Sequence, residues 1–452
     1  MMRQHSLSSS KQSITSRNYD EEMRRNPLLA IFITVFIDLL GFGILIPVFP
    51  LLISIGSPFR VTPESWSFTQ GLIMLGWLQA VYPFCTFIAS PILGQLSDRY
   101  GRRPVLAISI FGTSIGYALF AIGISTGNLP LLFASRALDG FTGGNLAVAN
   151  AAIGDISTNE NRAKNFGVLG AAFGLGFIVG PYLGGKLSSP NVSFYGLFDT
   201  PDWFGATTPF LFAAIISLLN CLAVLTTFPE TIKEKLHSGR INATQSVRNV
   251  VSGFQSDRLR VILLSGFLFS MGFTFFTTFF GIYLSNNFNF SQSKTGDYFA
   301  LVGLFIALSQ AVLVARVSRK LNDYSVLKFS LFGNAFMMLL YFLVPTSFSF
   351  GLYLIIPLFT AFNGLTMANM TSLISRSAVP GEQGQAMGVY SSVQSLAQVP
   401  ASVLVGYITT SVTSSQPLIV ASVCIALGGL VFIMFFKPTY VSSSTAATTP
   451  SN

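Results

Sequence analysis

The chain has 452 residues, of which 51 % are hydrophobic and 10 % charged, against roughly 25 % charged in a soluble domain; a soluble globular protein is excluded. The net charge of +9 does not point to nucleic acid, because the basic residues sit in short stretches between apolar runs. Cys85, Cys221 and Cys424 lie inside apolar runs, with neither disulfide nor metal-ligand spacing, so they read as packing residues and no metal or other cofactor is expected.

In chain order, residues 1–27 are polar and Ser-rich and read as a disordered tail. They do not read as a cleavable signal peptide, because the next apolar run is too long and no small-residue cleavage site ends it. Apolar runs of the roughly 20 residues that a span needs lie at 28–54, 68–93, 105–126, 129–153, 166–187, 209–228, 259–285, 296–316, 326–345, 350–374, 385–411 and 416–436. Twelve spans put both termini on one side. That side then holds 22 of the 26 Lys and Arg residues, while Arg60, Lys186 and Lys294 fall on the other. Basic residues mark the cytoplasmic side. Both termini are therefore expected in the cytoplasm, and a plasma membrane (the inner membrane of a bacterium) is the expected location.

The longest connection, 229–257, divides the chain into six helices over 28–228 and six over 258–437, with a second disordered tail at 438–452. The halves resemble each other. Asp139-Gly140-Phe141-Thr142-Gly143-Gly144-Asn145 in the fourth run matches Asn363-Gly364-Leu365-Thr366-Met367-Ala368-Asn369 in the tenth. The expected fold is an all-α membrane protein: twelve transmembrane helices in two six-helix pseudo-symmetric bundles, acting as a monomer in the lipid bilayer.

Charge inside a membrane is costly and needs a reason. Asp38 in the first run and Arg136 and Asp139 in the fourth are embedded. At the helical rise both acids lie about 15 Å from the ends of their runs and Arg136 about 10 Å. Arg136 and Asp139, three apart, share a helix face. Burial disfavours a charged carboxyl and a nearby guanidinium favours it, so moving the partner would switch protonation. Asp38, Arg136 and Asp139 are therefore proton-coupling candidates. The other reading is a buried ion pair that only joins two helices. Thr360 and Asn363 replace Arg136 and Asp139 in the second half, so charge handling is concentrated in the first.

Between the second and third runs, Gly94-Gln95-Leu96-Ser97-Asp98-Arg99-Tyr100-Gly101-Arg102-Arg103-Pro104 crowds three arginines, an acid and two glycines together. Gly94, Leu96, Asp98, Arg99, Gly101, Arg102, Arg103 and Leu106 fit the pattern G-x-L-x-D-R-x-G-R-R/K followed by an apolar stretch, and the loop resembles the signature of the major facilitator superfamily. The resemblance implies the major facilitator fold, with substrate handled between the halves near the midplane. It also implies a cytoplasmic gate, in which Asp98 faces the N-terminus of the eleventh helix when the inside is shut. Arg102 can bond Asp98 from one turn away, and Asp155, with Arg162 beyond it, would extend the chain of charges. The alternative is a loop that only sets topology.

The run from Asp38 through Gly41, Gly43 and Pro47 to Pro50 looks like the first helix of the tetracycline-efflux and drug:proton antiporter group, which carries an acid where Asp38 stands. Arg136 with Gly140 fits that group's fourth-helix signature, whose arginine is linked to proton transfer; Asp139 departs from it. Gly176, Gly180, Pro181, Gly184 and Gly185 match the fifth-helix signature associated with antiporters. Physically, Pro181 kinks the helix and the glycines admit a neighbour, so a packing motif without bearing on direction is the alternative. The segment Gly381–Gly388 also resembles the efflux group.

Gln79, Asn145, Gln310, Asn334, Asn363 and Gln394 are the polar candidates for a substrate cavity otherwise lined by Phe and Met, a wall that suits a lipophilic, even cationic, solute. The expected function is secondary active transport: proton-coupled antiport of lipophilic small molecules by alternating access, with the solute and protons as partners. A facilitator or proton symporter of a metabolite is the alternative on the same fold. A receptor or scaffold would not need charges in lipid. The nucleotide loop G-x-x-x-x-G-K-S/T is absent from the sequence, which argues against an ATP-driven pump, and no enzymatic activity is expected.

Overall fold

The computed structural model describes residues 27–158, 162–193, 199–232, 242, 244–317, 320–378, 383–409 and 415–436. The expected tails, apart from Pro27, and residues 233–241 and 243 of the linker lie outside that range. The chain is helical: α1 (Pro27–Ile53), α2 (Phe68–Tyr100), α3 (Arg102–Thr126), α4 (Leu129–Thr142), α5 (Asn145–Ile156), α6 (Arg162–Leu187), α7 (Thr208–Thr227), α8 (Gln245–Gln255), α9 (Arg260–Phe288), α10 (Gln292–Leu308), α11 (Asp323–Leu343), α12 (Phe350–Ser377), α13 (Gln383–Ile408) and α14 (Gln416–Phe435). α10 continues as a π-helical stretch, Ser309–Val314, and a short piece, Ala315–Val317.

Among the described residues, ten helices are long and apolar enough to cross a membrane. Two of the twelve expected spans fall outside that set for visible reasons. The fourth is broken at Gly143-Gly144 into α4 and α5. Glycine is a poor helix former, and here it is needed for close approach: a Cβ at Gly144 would lie 2.9 Å from the Ser90 backbone nitrogen of α2. The eleventh, α13, carries Gln383, Gln385, Gln394 and Gln398 along its length.

One expectation is corrected. Gly94–Tyr100 is not loop: α2 runs on to Tyr100 and α3 starts at Arg102, leaving Gly101 alone between them at φ +112. That backbone conformation favours glycine, and the Gly101 N–H closes α2 onto the Ser97 carbonyl. The linker also holds a helix, α8. Val247, Val250, Val251 and Phe254 follow the i, i+3, i+4, i+7 spacing of an amphipathic helix, a signal masked by the charges before it.

The first half packs α1 on α6, α2 on α4 and α3 on α7, and the second packs α9 on α14, α11 on α12 and α11 on α14. The halves meet along α2 with α13, α6 with α10 and α1 with α9. These pairings are those of a pseudo-two-fold, in which the second and fifth spans of one half face the fifth and second of the other.

Candidate functional site

The first half encloses a polar cluster. Glycines on α3 let α4 approach: a Cβ at Gly116 would lie 3.1 Å from the Asp139 Cβ, and one at Gly123 would lie 2.7 Å from Leu132 Cδ2. The Tyr117 ring covers Gly41 of α1. Inside, Arg136 and Asp139 form an ion pair with side chains only 4 % and 3 % exposed. The Arg136 guanidinium lies between the Tyr82 ring, 5.2 Å from its centroid, and the Phe120 ring, 5.4 Å from its centroid. Asp38 does not pair with Arg136. It accepts a 2.7 Å hydrogen bond from the Asn145 side-chain amide at the start of α5. Asn145, expected as a cavity residue, thus sits on the carboxylate of α1 just after the Gly143-Gly144 break.

This cluster borders the interface between the halves. A cavity of about 10 Å³, room for one water-sized group, is lined by Gln79, Tyr82, Arg136, Thr274, Thr278 and Gln398 among others. The buried Arg136 Nε has no partner among the described residues. Gln79 thus lies on a wall shared by both halves.

The halves pack tightly at one end. Away from the arginine-rich end they touch backbone to backbone. A Cβ at Gly406 of α13 would lie 2.6 Å from the Leu72 carbonyl oxygen of α2, and one at Gly281 of α9 would lie 2.7 Å from that of Ile46. On α10, Cβ atoms at Gly296 and Gly303 would lie 2.7 Å from the Pro181 oxygen and 2.8 Å from the Ile178 Cα. Lys186 at the end of α6 crosses this seam to Asp297 at 3.0 Å and Ser293 at 2.8 Å. Towards the basic end, Gly94, Gly154, Gly170 and Gly388 have nothing within 4 Å of a Cβ position. The α6 glycines divide the work: Gly176, Gly180 and Gly184 pack on Leu39, Leu40 and Ile44 of α1, Pro181 packs on Gly43, and Gly185 packs on Gly296 of α10.

At the basic end, Arg102 joins three elements. Its guanidinium reaches Asp98 at 2.5 Å, Ser97 at 2.6 Å and Asp155 at 2.9 Å. Arg103 donates to the Leu225 carbonyl, and Arg99 lies 5.5 Å from the Tyr100 ring centroid. The side chain of Arg162, and those of Gln383 and Gly384 at the start of α13, lie outside the described residues. Glu230, which the sequence reading did not single out, completes the cluster: its carboxylate accepts from the Arg102 backbone N–H at 2.8 Å and the Thr231 N–H at 3.1 Å. An acid at a helix N-terminus is favourable, and its place next to Pro229 at the end of a span was the available signal. The second half repeats this joint with the charges exchanged. Asp323 starts α11 and accepts from Ser372 at 2.6 Å and from Arg376 of α12 at 3.3 Å.

The remaining cavity candidates divide. Asn334 is fully buried and donates to Thr366 at 2.8 Å, while its amide oxygen lacks a partner among the described residues. Asn363 is buried, and both atoms of its amide lack partners among the described residues. Gln310 lies half-buried in the π-helical stretch and Gln394 half-buried on α13.

Comparison with known proteins shows the family and the fold. The family model of the Major Facilitator Superfamily matches residues 31–402. The chain is 29 % identical over 384 residues to the tetracycline resistance protein, class C, of Escherichia coli, covering 84 % of this chain and 89 % of that one. It is 26 % identical over 425 residues to multidrug resistance protein 1 of Bacillus subtilis, covering 93 % of this chain and all of that one. Among solved structures, the human organic anion transporter MFSD10 superposes with a TM-score of 0.67 at 22 % identity, covering 91 % of this chain and 99 % of that one. The xylose transporter XylE of Escherichia coli superposes with a TM-score of 0.67 at 18 % identity, covering 91 % and 98 %. The two structures show the shared fold.

Proposed function

The chain belongs to the Major Facilitator Superfamily, and from that premise we propose that it is a proton-coupled antiporter that exports lipophilic small molecules by alternating access. One observation carries the reading: Asp38 sits in a spanning helix with an amide for a partner, while the Arg136 guanidinium is taken by Asp139. Two carboxylates against one guanidinium leave an uncompensated negative charge when all three are ionised. In lipid that state is costly. A proton on Asp38 relieves it, and so does a cationic group beside Asp38. A site that accepts either, but not both, exchanges one for the other.

Alternating access then needs two closures. One is the backbone-tight end at α2–α13 and α6–α10. The other would form at the basic end, which we assign to the cytoplasm with both termini. There Asp98 would turn towards the N-terminus of α13, with Arg102, Asp155 and Arg162 beside it and Gly94, Arg99, Gly101 and Arg103 shaping the turn. Residues 28–228 and 258–437 would move as two bodies joined by 229–257, in a monomer in the plasma membrane. Gln79, Gln310, Asn363 and Gln394 would face the solute, while Asn145 positions Asp38. The likeness to proteins named for tetracycline and multidrug resistance supports export over uptake.

Everted membrane vesicles acidified inside, with a trapped pH dye, test this. A panel of lipophilic cations is expected to include members that raise internal pH, and Asp38→Asn is expected to abolish that response. Solute movement without a pH change would refute the coupling.

A further inference from the structure

The seam between α6 and α10 carries a second site, at the end of the bundle opposite the basic residues. A cleft of about 670 Å³ opens there, within the 300–1,000 Å³ range of ligand sites. Its walls are apolar, from Ile178 of α6 and Leu301 and Leu304 of α10. Its polar rim includes Lys186 and Asp297. Leu304 and Leu308, 47 % and 49 % exposed, follow Asp297 at i+7 and i+11, so the three share one face of α10. In a spanning helix that face meets lipid. Asp297 stands five residues after the first residue of α10, Gln292, about 7.5 Å from the helix start at the helical rise, close to the membrane surface.

A carboxylate on a lipid-facing stripe is costly unless compensated. Lys186 supplies part of the compensation at 3.0 Å, yet the Asp297 side chain stays 48 % exposed while that of Lys186 is 11 % exposed. The rim therefore shows an acid outwards, with a cation just behind it. Its complement is a headgroup with a cation and an anion one after the other, attached to an apolar chain.

We propose that this cleft binds a phospholipid with a primary-amine headgroup from the leaflet opposite the basic end. Its ammonium donates to Asp297, its phosphate accepts from Lys186, and an acyl chain lies along Ile178, Leu301 and Leu304. A quaternary ammonium has no N–H to donate, and an anionic headgroup without an amine meets the exposed carboxylate, so both bind less well.

The test is native mass spectrometry of the full chain in mild detergent, titrated with phosphatidylethanolamine, phosphatidylcholine, phosphatidylglycerol or dodecylamine. Phosphatidylethanolamine is expected to be retained about tenfold more tightly than the other three. That preference should vanish in Asp297→Asn and in Leu304→Trp, which fills the cleft from its exposed side without touching the core. Equal retention of the lipids, equal retention of dodecylamine, or an unchanged preference in both variants would each overturn the proposal.

Discussion

Gly296→Ala adds one methyl group where α10 meets α6. Its Cβ would stand 2.7 Å from the Pro181 carbonyl oxygen and 3.1 Å from the Gly185 Cα. Both neighbours are backbone, so no side-chain rotation relieves the contact, and close-packed interiors transmit such strain. Relief requires α6 and α10 to separate, which also draws Lys186 from Asp297. Overpacking costs about 1–3 kcal/mol, here borne by the state closed at this end and not by the state open there. Alanine's better helix propensity, about 1 kcal/mol over glycine, applies in both states and cancels. The ratio of the two states should move by about 5- to 150-fold towards opening. Spin labels on Ile55→Cys and Lys294→Cys, one on each half at the closed end, report the change as a longer distance population. The native Cys85, Cys221 and Cys424 are buried and should stay unlabelled under native conditions. Gly154→Ala, with open space around its Cβ position, is the control and should leave the distances unchanged. A folded Gly296→Ala protein with wild-type distances would refute the reasoning.

Three further outcomes are expected. Asp38→Asn should keep its fold and bind solute with an affinity that no longer changes with pH, whereas in the wild type a falling pH should weaken binding by protonating the carboxylate; unchanged pH dependence would pass the role to Asp139, which Asp139→Asn then tests. Glu230→Ala removes charge-assisted hydrogen bonds from the start of α3 and should lower stability by about 1.5–3 kcal/mol, read as earlier thermal unfolding in detergent; an unchanged unfolding temperature would contradict the cap. Asp98→Asn breaks an ion pair whose acid is 38 % exposed, so stability should change by no more than about 1 kcal/mol while turnover slows; wild-type turnover would reduce this cluster to a topology signal.

The spans and the embedded charges were legible because a bilayer demands long apolar runs and makes each exception visible. Asp38, Arg136 and Asp139 stood out for that reason. The partner of Asp38 was not legible, because spacing along one helix cannot show what another helix brings. Arg136 and Asp139 are neighbours on α4, so that pair could be read, whereas the Asp38–Asn145 bond joins two helices far apart in the chain. The break at Gly143-Gly144 was hidden because two glycines in an apolar run read equally well as helix packing. The charges of Gly94–Tyr100 read as loop, although α2 needs only Gly101 to turn. Glu230 and the Asp323–Arg376 joint were missed because each gains its meaning from a helix end far away in the chain.

The central claim is that a proton and the solute compete for Asp38. Its most direct test is proton release on solute binding, measured with a pH indicator in weakly buffered detergent solution, using purified protein and a solute identified by the vesicle panel. The account predicts about one proton released per solute bound by the wild type and none by Asp38→Asn. Proton uptake on binding, or binding with no proton exchanged, would contradict it.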